Sequence, residues 1–169
     1  MDFLRSLWQL TRRYGQENIV YFDESGFEKH SYRKHGWTRK GQKIYANVPG
    51  KREKRTNLIM AQRAGKWLAP ETFEGSCDAS RVNEWLKNKL LPLLTEPSII
   101  VFDNASFHKK KKIAALCRKH GHKALPLPPY SPDFNPIENS FGTIKRNREF
   151  KPSDTTILDI IKSLDYYLE

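Results

Sequence analysis

With 169 residues, 38% of them hydrophobic and 12% aromatic, the chain is long enough for one domain with a substantial core and too apolar for a disordered polymer. Thirty Lys and Arg against 19 Asp and Glu leave a formal charge of +11, which points to a polyanionic partner, most simply nucleic acid. Cys77 and Cys117 form no CxxC or Cys/His cluster, no apolar run approaches the roughly 18 residues that span a bilayer, and the N-terminus has no secretory pattern. A disulfide scaffold, a zinc module and a membrane protein are therefore excluded, and a soluble, cytoplasmic chain is expected.

Apolar residues at 3, 4, 7, 8 and 10 predict a short amphipathic helix ending near Gly15, a lead-in of residues 1–17 rather than a domain. "IVYFDES" follows as a buried strand. "GWTRKGQKIYANV" and "RTNLIMAQRAGKWLAPETFEG" alternate or run apolar between glycine-containing turns and predict antiparallel strands. From Asp78 the period becomes helical, with Val82, Trp85, Leu86, Leu90, Leu93 and Leu94 on one face and Pro97 marking the end. "SIIVFDN" predicts a strand buried on both faces. "HKKKKIAALCRKHG" predicts a helix with Cys117 in the core and the lysine run 109–112 on a solvated face, and "HKALPLPP" a short strand. Two helices close the chain, one from about Pro136 and one carrying Ile157, Ile160, Ile161, Leu164 and Leu168. This order suits a mixed sheet covered by helices, an α/β architecture.

Two carboxylates end apolar strands: Asp23 follows "IVYF" and Asp103 follows "IIVF". A carboxylate there needs a partner, a metal or exposure, and in α/β sheets the carboxyl ends of strands face the ligand crevice. Taken singly, each also reads as a cap, since Asp103-Asn104 leads into a helix and Asp23 into a turn at Gly26. The proline-stiffened "LPLPPYSPDFNPIENSFGTIKR" delivers one more carboxylate, Glu138. Asn135 suits the N-cap, Pro136 the first helical position, and Glu138 the third, where it can reach back to the cap. Asp133 has a turn role. Together Asp23, Asp103 and Glu138 are three hard oxygen ligands without a His or Cys cluster, which suits Mg²⁺ or Mn²⁺. With a basic surface, that chemistry is phosphoryl transfer on nucleic acid, using two cations about 3.5–4 Å apart.

"VYFDESGF", "IIVFDNASFH" and "YSPDFNPIENSFGTIK" resemble the three acidic motifs of mariner-type DDE transposases, particularly their bacterial insertion-sequence relatives. Between Asp103 and Glu138 lie 34 residues, the interval of one major branch of that superfamily. The resemblance runs from about residue 18 to about 150. It implies a ribonuclease-H-like, retroviral-integrase-like fold, a mixed five-stranded sheet flanked by helices, with 18–169 as the catalytic domain. It also implies cleavage at transposon ends with Mg²⁺ or Mn²⁺, two ions in all, and strand transfer into TA target sites. By motif match Asp23, Asp103 and Glu138 form the metal-binding triad, with Asp23 bridging the ions. Asn104, His108 and Asn135 fall in the same motifs as supporting residues, His108 as a first-turn helix residue hydrogen-bonded to a neighbour.

If "IVYFDE" is extended, only one of Asp23 and Glu24 can face the site. The resemblance selects Asp23 and leaves Glu24 to pair with a surface base or shape the turn. Arg33, Lys34, Trp37, Arg39, Lys40 and Lys43 mix bases with an aromatic in one stretch, as a DNA grip or as a basic hairpin with Trp37 in the core. Lys145 and Arg146 are further candidate DNA contacts. About 17 residues precede the first catalytic strand, too few for the helix-turn-helix domain of full-length relatives. The expected partners are double-stranded DNA, a second copy in a homodimer, and a separate helix-turn-helix protein or first-frame product, in a bacterial or archaeal cytoplasm. A second-frame product or a truncated form accounts for the short N-terminus. The alternatives are a ribonuclease-H-like nuclease, against which the third motif argues, and a non-catalytic DNA-binding remnant, against which three carboxylates facing phosphates argue.

Overall fold

The computed structural model describes residues 3–28, 38–43, 45, 55–106, 108–152, 154–164 and 166. Five strands, β1 (Ile19–Glu28), β2 (Arg55–Arg63), β3 (Lys66–Glu74), β4 (Ile99–Phe102) and β5 (Lys123–Pro126), form one sheet in the order β3-β2-β1-β4-β5. β1 pairs antiparallel with β2, as β2 does with β3, while β1 with β4 and β4 with β5 are parallel. β2 and β3 are joined by a two-residue hairpin at Ala64-Gly65, both at positive φ (47° and 79°), the primed-turn geometry that matches strand twist. The parallel half needs crossovers, and helices supply them.

Side-chain parity sorts the layers. Val20, Phe22, Ile100 and Phe102 point to one face, where they pack against Val82, Trp85, Leu86, Leu90, Ile113 and Cys117. These come from α2 (Ala79–Trp85), its continuation, and α4 (Lys110–Lys119). On the other face Leu58, Met60 and Phe27 meet Ile137, Phe141 and Ile144 of α5 (Ile137–Arg148) and Ile157, Ile160 and Ile161 of α6 (Ile157–Lys162). α1 (Phe3–Tyr14) lies on this second face too, its Phe3, Leu7, Leu10 and Tyr14 clustering with Ile19, Ile99, Val101 and Leu127. Leu4 and Trp8 stand on its outer side. All four residues of β4 are buried, as a strand covered on both faces requires.

Several expectations are corrected. β1 neither ends at Asp23 nor turns at Gly26 but runs on to Glu28, paired with β2 throughout. The described part of "GWTRKGQKIYANV", residues 38–43, is an exposed turn closed by Gln42 N–H to Arg39 C=O at 3.1 Å, not a strand; the other residues except Tyr45 lie outside the described set. The helix from Asp78 does not keep one face. After α2 it widens into a π turn at Leu86–Leu90, then closes with α3 (Leu91–Leu93). Pro92 lacks the N–H that would bond Asn88 C=O and crowds that carbonyl, so the turn before it opens. The extra residue rotates the register: Leu91 goes inside and Leu93, expected in the core, is 47% exposed. The corrections to Asn135, His108 and Glu24 are described with the site below.

α5 is tied to the sheet by a buried polar link. The Trp67 indole N–H donates to Ser140 Oγ at 2.8 Å, and Ser140 Oγ–H donates to Gln62 Oε1 at 2.7 Å. Ser140→Ala would strand the indole N–H, so a stability loss of about 1–3 kcal/mol is expected, read as a lower urea midpoint at unchanged m-value. Wild-type stability in this variant would mean that the link does not hold α5.

Candidate active site

The parallel register of β1 and β4 pairs Tyr21 with Val101. Two residues further along from each of these stand Asp23 and Asp103, level with each other and on the same face of the sheet. Glu138 reaches that edge from the first turn of α5, after the proline loop 126–136. Asp23, Asp103 and Glu138, with Asn104 and Asn135, line one open pocket of about 390 Å³. Tyr130 stands fully exposed at its rim, in left-handed backbone (φ 54°) between Pro129 and Ser131.

Each aspartate is held by its own partners. Asp23 Oδ1 accepts the Glu24 N–H at 2.8 Å, and Oδ2 accepts from Asn135 Nδ2 at 3.1 Å. Asn135 is therefore not the helix cap: the cap position is Pro136, with no side-chain bond, and only the Asn135 carbonyl serves the helix, accepting the Glu138 N–H at 3.3 Å. Its buried side chain is drawn instead to a carboxylate 112 residues away, and the reciprocal capping box with Glu138 does not form. Asp103 Oδ1 accepts the Ala105 N–H at 3.0 Å and sits 2.6 Å from His108 Nδ1.

His108 precedes α4 rather than lying in its first turn, and it is buried. Its ring packs on Phe22 and Phe102, with both centroid distances 5.8 Å. Its Nε2 lies 3.5 Å from Glu24 Oε1, so Glu24 pairs with a buried imidazole and not with a surface base. The parity of Glu24 with Val20 and Phe22 is the signal that could have found this, because that face is the buried one.

The charges divide the two aspartates. Burial pushes the Asp23 carboxyl up to about 7, with the charges of Glu24, Asp103 and Glu138 adding to it against the Glu24 N–H bond. Burial pushes Asp103 the same way, but its bonds to His108 and Ala105 and the imidazole charge outweigh it and hold Asp103 below the ordinary value. Burial opposes charging of His108, and the bonds and charges of Asp103 and Glu24 overcome it, raising the imidazole to about 10. One aspartate is thus firmly ionised and its neighbour holds a proton near neutrality. Among the described residues no three His, Cys, Asp or Glu side chains stand close enough, as placed, to hold an ion.

Of the candidate DNA contacts, Arg39, Lys40 and Lys43 are exposed in the turn 38–43, and Lys145 and Arg146 are exposed on α5. Lys145 Nζ lies 5.5 Å from the Phe27 ring centre, and Arg146 donates to Thr143 Oγ1 at 3.1 Å. Arg33, Lys34 and Trp37 lie outside the described residues. No described helix is long and apolar enough to cross a membrane.

A mixed sheet in this order, with helices on both faces, one aspartate midway along its long central strand and another just past the end of the parallel neighbour, defines a ribonuclease-H-like α/β protein. Residues 18–156 match the family model of the DDE superfamily endonucleases, and the chain belongs to that family. The fold is similar to that of the Mos1 strand transfer complex, with 21% identity, 95% of this chain and 50% of that chain covered, and a TM-score of 0.74. For the Mos1 mariner paired end complex with Mn the figures are 21%, 96%, 52% and 0.75. For the Mos1 transposase catalytic domain and raltegravir with Mg they are 19%, 96%, 77% and 0.64. The chain thus spans about half the length of the first two Mos1 chains. No curated protein matches the sequence significantly.

Proposed function

We propose that the chain is the catalytic domain of a mariner-type transposase, nicking DNA at transposon ends and joining the freed 3′-hydroxyl to target DNA. The observation that carries this reading is that Asp23, Asp103 and Glu138 line one pocket, where burial, with the neighbouring carboxylate charges adding to it, pushes Asp23 up to about 7. An all-oxygen donor set under that repulsion fits a hard cation, and these three residues would hold it. Bound there, Mg²⁺ or Mn²⁺, two ions in all, would supply an activated oxygen nucleophile and neutralise the leaving oxygen. The Mos1 structures with Mn and with Mg support that choice of ion.

The chain's own residues supply positioning. Asn135 holds Asp23 from the loop side, Ala105 and His108 hold Asp103, and the proline loop with the Ser140 link sets the start of α5 that presents Glu138. Arg39, Lys40, Lys43, Lys145 and Arg146, with Arg33 and Lys34 of the same basic stretch, contact phosphates, while Trp37 and Tyr130 offer rings to unpaired bases. Asn104 lines the pocket beside Asp103 as a supporting residue. Residues 18–169 form the catalytic domain in this reading. A second copy and a helix-turn-helix protein or first-frame product handle and recognise the two ends, and the setting is a bacterial or archaeal cytoplasm.

The test supplies a short duplex with a pre-cut 3′-hydroxyl end, supercoiled plasmid and Mg²⁺. Joined product is expected, and sequencing its junctions reads the TA preference directly. Nicking without any joined product would favour the nuclease alternative and overturn the transposase reading.

A further inference from the structure

We infer that Glu24 is a positioning residue for the reaction centre: through the buried ring of His108 it fixes how Asp103 presents its carboxylate. This rests on the triad reading above and adds a residue that the motifs assign no role. Glu24 follows Asp23 in β1 and so points to the opposite, apolar face, beside Phe22. A carboxylate there is costly unless it is partnered. Its side chain is only 16% exposed, its Oε1 lies 3.5 Å from His108 Nε2, and its Oε2 is buried with no hydrogen-bond partner among the described residues. A fold that keeps an oxygen unsatisfied needs a reason for that carboxylate.

The reason lies on the other side of the ring. The His108 side chain is fully buried, wedged against Phe22 and Phe102, and its Nδ1 is 2.6 Å from Asp103 Oδ1. An imidazole with a carboxylate at each nitrogen and an aromatic ring against it cannot turn without giving up one contact. The contacts of Asp103 to the Ala105 N–H and to His108 both fall on Oδ1, which fixes the carboxylate plane. The line Glu24–His108–Asp103 thus crosses the end of the sheet from its covered face to the pocket. Outer partners of this kind orient metal-binding carboxylates, and their loss typically costs about 10–100-fold in metal affinity.

The experiment measures Mn²⁺ affinity by calorimetry and thermal stability for the wild type, Asp103→Asn, Glu24→Gln, His108→Asn and the Glu24→Gln/His108→Asn double variant. Asparagine at 108 can still reach Asp103 but not Glu24. Glu24→Gln is expected to weaken Mn²⁺ binding about tenfold, and to have no further effect once His108 is Asn, because the line is already cut. A merely structural Glu24 would change stability equally in both backgrounds and leave Mn²⁺ affinity alone. Wild-type Mn²⁺ affinity in Glu24→Gln, or an equal loss in both backgrounds, overturns the inference while leaving the triad in place. If Asp103→Asn itself binds Mn²⁺ as the wild type does, the triad reading falls and this inference with it. Should Glu24→Gln fail to fold, His108→Asn decides alone: weakened binding is expected, and unchanged binding overturns the inference.

Discussion

Asp23→Asn is expected to make the metal-free protein more stable above pH 7 and to remove its metal-dependent chemistry. The sign follows from the direction of the shift. Burial, with the charges of Glu24, Asp103 and Glu138, raises the folded Asp23 to about 7, well above its ordinary 3.8. The folded state therefore holds this proton more tightly than the unfolded chain. The stability it contributes is complete below about pH 4 and is lost as the pH rises through about 7. At pH 8 the wild type carries nearly the full cost of an ionised, buried carboxylate, which for a shift from 3.8 to about 7, at about 1.4 kcal/mol per pKa unit, is about 4 kcal/mol. Asparagine keeps an oxygen for the Asn135 amide and carries no charge. Denaturation of both proteins at pH 4 and pH 8 checks this: a difference near zero at the lower pH, and a more stable variant at the higher one. A variant less stable than the wild type at pH 8 would show that the site does not repel charge.

The second large effect is on cation affinity. Asp23 must lose its proton to act as a ligand, so Mn²⁺ affinity is expected to fall about tenfold for each pH unit below about 7 and to level off above it. Asp103 adds nothing to this slope. Burial alone would raise it, but the contacts with His108 and Ala105 keep it ionised throughout. Calorimetry in buffers of different ionisation enthalpy should find about one proton released per binding event near pH 6. An affinity that does not vary across that range would mean that Asp23 is not a ligand.

Most of the fold was legible because its elements bury simple patterns. β4 is four apolar residues between a serine and an aspartate, and α6 repeats isoleucines at helical spacing. The alternation in "IVYFDE" correctly separated Asp23 from Glu24. What local reasoning could not supply was the partner across space. Asn135 has every local qualification for a cap, yet the fold brings Asp23 within 3.1 Å of its amide, and a buried carboxylate is the more demanding acceptor. The same alternation turns Glu24 away from Asp23, but nothing near it in the chain announces His108, 84 residues later, as its partner rather than a surface base. Leu93 departs for a different reason: Pro92 changes the helical period within the segment, so Leu91 turns inward and Leu93 outward although Leu94 stays buried as expected.

The central claim is that Asp23, Asp103 and Glu138 act together on DNA. Nicking of supercoiled plasmid in Mg²⁺ by the wild type and by Asp23→Asn, Asp103→Asn and Glu138→Gln tests it most directly, with DNA binding followed as a function of salt. Each substitution is expected to lower the nicking rate by more than about 100-fold, beyond the usual cost of losing an outer partner. Salt-sensitive DNA binding should remain close to that of the wild type, because it rests on lysine and arginine contacts with phosphates. Nicking at the wild-type rate by any one of the three variants would contradict the account.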